Sequence, residues 1–401
     1  MWRSHPIRAL LAAVAAGALL SASVAAQGAA APLTVRAENT LAIARPDETI
    51  GVPWREVQAQ LPGAAAGEVR VRSAGAEQEI ASQVVDDDGD GRPDELIFQS
   101  SFTPREVKTF IVERGAPMRA APHVYATHTV PRDDIAWESD RIAFRTYGRG
   151  LWKVDSLDSS GIDVWVKSVR DLIVDRWYAK GHDAYHRDTG EGADFFDVGE
   201  SLGAGGTAVW YDDSLCRAHN FTGWRIIANG PIRAIFELRF APWSAGPVRV
   251  TETKRVAIDA GQNLNRVVST FDVQGAAEAP IAIGLVKRAG MVGSESTARP
   301  WAWLTGWGPV DPKNGGHGDL GTAVLLPRER VHEWKETDNH YLAIVPVKGS
   351  EAVTYYIGAG WTGSRDFRDV EDWWRYLDQA AQRIASPIAV TIGAAHAAAE
   401  R

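Results

Sequence analysis

Short runs in which apolar and polar residues alternate recur along most of this chain. A period of two places apolar side chains on one face of a strand and polar ones on the other, as a half-buried antiparallel sheet requires. Turn-forming residues separate the runs, for example at Asn229-Gly230-Pro231 and Lys348-Gly349. The clearest runs are residues 68–72, 107–114, 162–167, 207–211, 233–240, 248–258 and 354–357. The chain is therefore predicted to be an all-β, mainly antiparallel protein.

One segment near the C-terminus has a helical period instead. Apolar residues recur at helical spacing after Asp369, whose side chain can accept hydrogen bonds from the first backbone amides of a helix. These apolar positions are Val370, Trp373, Leu377, Ala381 and Ile384. Pro387 lies just beyond them and favours an end to the helix. The sequence thus predicts one C-terminal helix that packs on the sheet.

The beginning of the chain has the three parts of a secretory signal. Arg3 and Arg8 give a basic start, residues 9–20 are apolar, and small residues follow up to Ala26. No later stretch approaches the roughly 20 apolar residues of a membrane-spanning helix. A stretch rich in Pro, Ala and Gly at residues 115–122 interrupts the strand pattern. We therefore predict a signal peptide at residues 1–26, an N-terminal β-sandwich portion at 27–120 and the main β portion, with site-bearing loops, at 121–401. The mature protein is expected to be periplasmic or secreted, without membrane insertion.

The overall charge argues against some partners. The formal net charge is −8 at pH 7, whereas binding to nucleic acid requires clustered Lys and Arg. Nucleic acid is therefore not an expected partner. The single cysteine, Cys216, excludes an internal disulfide. The 16 tryptophans suit stacking on sugar rings, although large β cores also use tryptophan.

An acidic stretch at residues 86–95 has the spacing of a calcium loop. The acids Asp86, Asp88, Asp90 and Asp94 occupy positions one, three, five and nine, and Gly91 occupies position six. Ile97 stands at position twelve, where an EF-hand has a bidentate glutamate. Two interpretations follow: a calcium site, or an Asp-rich turn between two strands.

A second motif, Gly199-Glu200-Ser201-Leu202-Gly203, matches the G-x-S-x-G pattern of serine hydrolases. That motif requires a helix directly after the serine, but here a strand-like run at residues 207–211 follows. The context therefore disfavours a serine nucleophile.

The densest group of reactive side chains lies at residues 182–194. The segment is rich in His, Tyr and carboxylate side chains and contains glycines, as in loops whose side chains converge on one ligand. His186, Asp188, Glu191 and Asp194 could bind a metal, or Tyr185 and His186 could transfer protons. The remaining interpretation is a solvated loop whose acids bind only backbone amides.

Four stretches resemble the secreted bacterial domain-of-unknown-function 4861 family, and the resemblance covers nearly all of the mature chain. The stretches are residues 83–96, 185–194, 198–206 and 358–361. The resemblance implies a β-supersandwich similar to galactose mutarotase-like and polysaccharide lyase folds. It also implies a role in breaking down uronate-containing polysaccharides, by an activity of lyase or dehydratase type. It supplies no agreed catalytic residues.

The functional hypotheses therefore rest on the chemistry of individual residues and not on the family resemblance. In β-elimination on a uronate, a base removes the C5 proton, a cation holds the carboxylate and an acid assists the leaving oxygen. We expect His186 as the base, Tyr185 as the acid and His340 as the alternative proton carrier. The expected substrate-binding residues are Lys287 with Arg225 or Arg176 for the carboxylate, and Trp303 and Trp361 for the sugar ring.

Two alternatives remain open at this point. One is a glycoside hydrolase that uses Glu191 and Asp194 as paired carboxylates. The other is a non-catalytic carbohydrate-binding protein that relies on tryptophans and calcium. An oligosaccharide is the expected ligand in all three hypotheses, and no organic cofactor is expected. The sequence does not decide the oligomeric state.

Overall fold

The computed structural model describes residues 31–130, 132–154 and 157–394. The signal peptide predicted at residues 1–26 lies outside these residues. The N-terminal portion contains strands and one short α-helix. Its elements are β1 (Leu33–Glu38), β2 (Arg45–Pro53), α1 (Trp54–Gln60), a 3-10 helix (Ala66–Glu68), β3 (Val69–Ser73), β4 (Glu79–Ile80), β5 (Ser82–Val85), β6 (Glu95–Phe102) and β7 (Val107–Arg114).

Two small sheets of this portion enclose a core of their own. One contains β1, β7, β3 and β4, and the other contains β2, β6 and β5. In β1, Leu33, Val35 and Ala37 are buried while the residues between them are partly or fully exposed, as the alternating sequence predicts. They pack in one cluster with Phe98 and Phe110 of the neighbouring strands.

The next part of the chain forms a five-stranded sheet covered by short helices. Its elements are β8 (Val124–Thr129), β9 (Asp134–Ser139), β10 (Ala143–Tyr147), α2 (Gly150–Val154), β11 (Asp163–Lys167), α3 (Val174–Lys180), α4 (His182–Tyr185) and β12 (Gly192–Ala193). The strand order is β12-β11-β10-β9-β8. Every residue of β9, β10 and β11 is buried. Both faces of this sheet are therefore covered, and polar side chains on these strands must find partners inside the protein.

The remaining elements form the largest part of the protein. They are β13 (Ala204–Tyr211), β14 (Ser214–Arg217), β15 (Gly223–Asn229), β16 (Arg233–Ala245), β17 (Val248–Asp259), β18 (Leu264–Gln274), β19 (Ala279–Val286), β20 (Val292–Ser296), β21 (Trp301–Pro309), β22 (Asp319–Pro327), a 3-10 helix (Arg328–Arg330), β23 (Glu333–Glu336), β24 (His340–Val347), β25 (Ser350–Trp361), a 3-10 helix (Thr362–Ser364), α5 (Val370–Ala385) and β26 (Ala389–Ala394).

Two of the sheets face each other across the main core. One has the order β15-β16-β17-β18-β25-β22-β21-β20, and the other has the order β14-β13-β19-β24-β23. Buried residues of both, such as Phe271, Tyr355 and Ile283, belong to one apolar cluster, which also includes Trp137 of β9. The pairings between the named strands are antiparallel. The prediction of an all-β, mainly antiparallel sandwich is confirmed.

Helix α5 is the predicted C-terminal helix. The Asp369 side chain accepts a hydrogen bond from the Asp372 amide at 2.9 Å and caps the helix. Trp373 and Leu377 pack against Leu325 and Trp303 of the eight-stranded sheet. Burial of each such side chain contributes about 1.5–3 kcal/mol. After the helix, β26 pairs with β1, so the far end of the chain completes the N-terminal sheet.

The four helices α1 to α4 were not predicted from the sequence. They contain between four and seven residues each, and such lengths are too short to show a helical period. Among the described residues, no helix combines the length and the apolar character that crossing a membrane requires. The short helices α3 and α4 are nevertheless important, because they position the candidate site.

Candidate active site

The segment at residues 182–194 folds onto the sheet that contains β9 to β11. The Tyr185 ring stacks on Trp165 of β11 with a centroid separation of 4.8 Å. Both rings lie in an apolar cluster with Trp177 of α3. This packing places His186, which follows α4 and is 37% exposed, at the wall of a cavity open to solvent.

The cavity beside α4 has a volume of about 480 Å³. Charged and polar side chains occupy much of its wall, and Phe195, Phe196 and Leu157 supply apolar surface. The charged and polar side chains are those of Arg132, Arg145, Tyr147, His182, His186, Asp194, Asp197, Asp311, Lys313 and Asn314. We call this space the His186 cavity.

Two histidines from consecutive turns meet in this cavity. The Nε2 atoms of His182 and His186 are 3.3 Å apart, and His186 Nδ1 lies 2.8 Å from the backbone oxygen of Asp194. A carbonyl oxygen can only accept, so Nδ1 carries the proton and Nε2 of neutral His186 is a proton acceptor. Hydrogen bonding to the backbone also fixes the orientation of the ring.

A buried arginine forms the base of the cavity. Arg145 Nη2 donates to Asp163 at 2.6 Å and to Asp194 at 2.8 Å. The same guanidinium donates to the hydroxyl groups of Tyr147 at 3.0 Å and Tyr185 at 3.1 Å. Both carboxylates are about 1% exposed, so their charges depend on this arginine.

This environment shifts two pKa values in opposite directions. Burial, followed by the nearby charge of Asp163, raises the pKa of Asp194 well above its ordinary value although Arg145 acts against the shift. Burial also lowers the pKa of His186, although the hydrogen bond with Asp194 opposes it. Burial disfavours the charged form in both cases. The carboxyl group is thus favoured as a proton donor and the imidazole as a proton acceptor.

Positively charged side chains form part of the cavity wall. Lys313 Nζ lies 2.8 Å from Asp197, and both side chains are largely exposed. Such an exposed ion pair is weak, so a ligand carboxylate can replace Asp197 at little cost. Asp311 has a different role, because it accepts hydrogen bonds from the Lys313 and Asn314 amides and fixes their turn. Arg132 also lines the cavity.

Tyr185 and Glu191, both predicted to be catalytic, have partners within the protein. The Tyr185 ring is 3% exposed, and burial raises the pKa of its phenol. Glu191 forms an ion pair with Arg176 at 2.7 Å and accepts from the Trp177 indole at 3.0 Å. Neither Glu191 nor Arg176 is among the described residues that line the His186 cavity. Their roles in substrate chemistry stay predictions.

His340, Lys287 and Arg225 also lie outside the described lining of this cavity. His340 Nε2 accepts a hydrogen bond from the Leu202 amide at 3.1 Å, and burial lowers its pKa to about 4. Lys287 forms an ion pair with Glu336 at 2.6 Å. Arg225 donates to the backbone oxygens of Gly89 and Asp88. The fold therefore does not bring these three residues into the described wall of the His186 cavity, contrary to the expectation from the sequence.

The two tryptophans predicted to form a sugar platform are buried. Trp303 is 5% exposed and donates to Asp378 of α5 at 2.8 Å. Trp361 is 4% exposed and donates to the His317 backbone oxygen at 2.7 Å. A stacking platform needs an open ring face, and these rings are mostly covered by protein.

The geometry of the acidic loop at residues 86–94 is compatible both with a calcium site and with an Asp-rich turn. Asp86, Asp88 and Asp94 each place a carboxylate oxygen within 4.8 Å of the others, whereas Asp90 is not part of that group. The same side chains accept amide hydrogens of the loop, as in the 2.6 Å bond from Gly89 to Asp86. Calcium binding at this loop stays a prediction.

The G-x-S-x-G motif has a structural role. The Ser201 hydroxyl donates to the Val198 oxygen at 2.5 Å and accepts from the Gly203 amide at 3.0 Å. Gly203 has a φ of 62°, and a Cβ atom there would collide with the Ile162 backbone oxygen. Strand β13 follows the motif, so the helix that a nucleophilic serine requires is missing here.

The sequence interpretation missed seven charged and polar residues of the cavity wall: Arg132, Arg145, Tyr147, Asp197, Asp311, Lys313 and Asn314. Arg145 left a signal, since it is the single charged residue in the run Ile142-Ala143-Phe144-Arg145-Thr146-Tyr147. A charge inside a buried strand needs a partner inside the protein and therefore marks a polar centre. Tyr147 lies on the same strand as Arg145, and Asp197 shortly follows the 182–194 segment, whereas the remaining residues come from distant loops that only the fold brings to His186.

Comparisons with known proteins agree with this architecture. The solved structure of a protein in the glycosyl hydrolase family 38 from Enterococcus faecalis superimposes with a TM-score of 0.51 at 10% identity, covering 91% of this chain and 48% of that chain. An α-mannosidase from the same organism gives a TM-score of 0.47 at 8% identity, with 91% and 46% covered. The chain thus spans about half the length of these solved structures. The first likeness supports the fold.

Sequence comparison goes further. The "Uncharacterized protein P7" of Formosa agariphila is 32% identical over 378 residues, which cover 89% of this chain and 93% of that protein. The family model described as a domain of unknown function, DUF4861, matches residues 37–390. The chain therefore belongs to the DUF4861 family.

Proposed function

We propose that the protein acts outside the cytoplasm on uronate-containing oligosaccharides and cleaves a carbon–oxygen bond by β-elimination. The observation that carries the proposal is the geometry of His186, whose Nδ1 is fixed on the Asp194 backbone oxygen at 2.8 Å and whose Nε2 is a proton acceptor in the cavity that the buried Asp194 carboxyl also lines. The opposite pKa shifts of these two groups agree with it, since enzymes that transfer protons near neutral pH separate an acid and a base in this way. The carbohydrate class draws support from the similar fold of a protein described as a glycosyl hydrolase family 38 member.

In the proposed reaction, Nε2 of His186 removes the C5 proton of a uronate. The electrons of the C5–H bond form a C4–C5 double bond, and the C4–O bond breaks. Lys313 and Arg132 hold the substrate carboxylate, where negative charge develops. Asp194 supplies a proton to the leaving oxygen. A sugar at C4 makes the reaction a lyase reaction, and a hydroxyl group at C4 makes it a dehydration.

His182 completes the proton path. Its Nε2 atom is 3.3 Å from that of His186, and its side chain is 45% exposed. With the His182 proton on Nδ1, His182 Nε2 can accept the substrate proton from His186 and release the Nδ1 proton to solvent, while Asp194 regains a proton from solvent through the cavity. This arrangement lets His186 return to the neutral form after each turnover.

The carboxylates at this site favour elimination over hydrolysis. A glycosidase needs two carboxyl groups that are free to act on the sugar. Here Glu191, one of the two carboxylates that the hydrolase hypothesis requires, is held by Arg176 and Trp177 and is not among the described residues that line the cavity. Nε2 of His186 is the better placed acceptor for a substrate proton.

The test is incubation of the purified protein with pectic, ulvan and glucuronan fragments. Elimination produces an ultraviolet-absorbing unsaturated uronate, and mass spectrometry detects the loss of water in a dehydration. Replacement His186→Asn should reduce the rate about 10²–10⁴-fold, whereas His332→Asn, at an exposed position, should not change it. New reducing ends without absorbance would indicate a hydrolase. Sugar binding by the wild-type protein without any product, and unchanged in His186→Asn, would indicate a non-catalytic binding protein.

A further inference from the structure

A second groove lies between α5, the N-terminal portion and the eight-stranded sheet. It has a volume of about 330 Å³ and contains no residue of the His186 cavity lining. Its polar wall consists of Arg45, Glu48, Thr49, Arg233, Asp259, Gln262, Arg266, Tyr356 and Arg383. We call it the α5 groove. Four arginines and two carboxylates among these residues give the lining a net positive charge.

Three of the four arginines are paired within the protein, and one of them, Arg383, contacts Glu48 at 3.3 Å. Arg45 is 1% exposed and donates to the Ser386 backbone oxygen and to Glu48. Arg233 donates twice to Asp259, at 2.6 and 2.8 Å. These pairs fix the shape of the groove, because buried charges with good hydrogen-bond geometry are held in place.

Arg266 is used only in part. Its Nη2 atom contacts both carboxylate oxygens of Asp87 at 2.9 Å. Among the described residues, its Nε and Nη1 atoms have no hydrogen-bond partner, and the side chain is 35% exposed. A guanidinium with two unused donor atoms at the wall of a groove is well suited to bind an oxyanion.

Tyr356 adds a neutral donor beside this arginine. It is the cross-strand partner of Arg266 on β25, and its ring packs against Trp301 at 5.4 Å. Its hydroxyl group makes no hydrogen bond with a described residue, and its electrostatic neighbours, Arg266 first among them, act only at a distance. Burial raises the pKa of this phenol, so the hydroxyl keeps its proton and can donate it to a ligand.

The floor of the groove is apolar. Leu264 and Ala257 of the sheet, with Ile384 and Ile388 from and after α5, provide this surface. An apolar floor with polar donors on one side fits a sugar ring, which has an apolar face and polar edges. A bare inorganic anion would leave this floor unused.

We propose that the α5 groove is a second binding site that takes the carboxylate or sulfate group of an acidic sugar through Arg266 and Tyr356. The sugar part of this assignment rests on the proposed function, whereas oxyanion binding does not. The site lies apart from the His186 cavity and holds substrate without reacting with it. It would raise the local concentration of a long chain that also reaches the cavity.

The experiment measures binding by calorimetry in the His186→Asn background, so that no turnover occurs. Sodium sulfate, glucuronate and an acidic oligosaccharide are titrated separately. Arg266→Met should weaken oligosaccharide binding about tenfold or more, and Tyr356→Phe about threefold. Arg255→Met is the matched control, because Arg255 contacts Asp88 and Glu237 outside the groove.

Tyr356→Phe keeps the test informative even if Arg266→Met unfolds the protein. The Tyr356 hydroxyl has no hydrogen-bond partner among the described residues, so its removal should not affect folding. Equal affinities in the His186→Asn protein and in both groove variants would overturn the proposal. Sulfate that binds as tightly as the acidic oligosaccharide, and is weakened equally in the groove variants, would show an oxyanion site without sugar selectivity, and the acidic sugar would then be rejected as its specific ligand. Groove binding together with no unsaturated product from the wild-type protein on any substrate would overturn the proposed function alone.

Discussion

The His186 cavity and the acidic loop at residues 86–94 are both rich in carboxylates, but the protein stabilises them in different ways. In the cavity, Asp163 and Asp194 are buried and share one guanidinium. In the loop, Asp86 and Asp94 accept backbone amides of the same loop. Burial opposes ionisation of Asp86, but these hydrogen bonds outweigh it and lower the pKa.

This difference has a chemical consequence. A carboxyl group whose pKa is raised can hold a proton and release it during a reaction. A carboxylate whose pKa is lowered stays charged and suits a hard cation. The cavity thus contains a carboxyl group that favours the protonated form and the loop contains one that favours the charged form, although both regions are rich in carboxylates.

The strongest test of this contrast is Arg145→Met. Removal of the guanidinium leaves Asp163 and Asp194 buried without their cation, which should cost about 3–5 kcal/mol of unfolding free energy. Chemical denaturation monitored by tryptophan fluorescence measures this loss. The activity should fall with it, because Asp194 also positions His186.

Arg36→Met is the matched control for that variant. Arg36 pairs with Glu38 at 2.8 Å, and both side chains are substantially exposed. An exposed pair contributes little, so the unfolding free energy should change by less than about 1 kcal/mol. Equal losses in the two variants would contradict the role of burial in the cavity.

The contrast also shows which features of the fold and of the site could be predicted from the sequence. The period of two predicted the strands, and the cap at Asp369 predicted α5, because both depend on neighbouring residues. The turn geometry of the acidic loop is likewise local. The partners of His186 are not: Arg145 lies on β10 and Lys313 on a loop after β21. Their meeting depends on sheet order, which no local pattern encodes.

The predicted positions of Trp303 and Lys287 illustrate the same limit. Both residue types suit a sugar site, yet Trp303 bonds Asp378 of α5 and Lys287 bonds Glu336 of β23. Residue type indicated chemistry that the side chain could perform, whereas the fold decided which partner it met. Cluster density in the sequence was more useful, since it drew attention to His182 and His186.

A histidine outside the cavity tests the effect of burial in a different place. The pKa of His340 is lowered to about 4, below the ordinary value of about 6.5. Its contribution to stability is therefore complete above pH 6.5 and is lost as the pH falls through 4. The loss should be about 2–3 kcal/mol over that interval.

His340→Gln provides the comparison for this measurement. A glutamine oxygen can accept from the Leu202 amide without binding a proton. Thermal unfolding at several pH values should show a weaker decline below pH 6.5 in the variant than in the wild type. Parallel declines would exclude His340 as the titrating group.

The exposed part of the cavity should respond more mildly. If Lys313 holds a substrate carboxylate, Lys313→Met should raise KM about tenfold and change kcat less, because uniform binding is lost. Lys348→Met is the control, since Lys348 is similarly exposed and pairs with Glu278 at 3.8 Å. Steady-state kinetics on a substrate found in the elimination assay gives both constants. A fall in kcat alone would place Lys313 in the chemical step instead.

The smallest effect is expected at the acidic loop. Without a glutamate at position twelve, calcium should bind with a dissociation constant of about 10⁻⁴–10⁻³ M, as in extracellular modules. About 1 mM calcium would then stabilise the protein by roughly 1 kcal/mol, a rise of about 1–3 °C in Tm. Asp88→Asn should abolish the rise, because Asp88 belongs to the converging group. Asp213→Asn removes the same charge from another exposed position and should keep it. A Tm that does not change when calcium is added would show that the loop is an Asp-rich turn and not a calcium site. Its carboxylates would then only accept hydrogen bonds from the backbone amides of the loop.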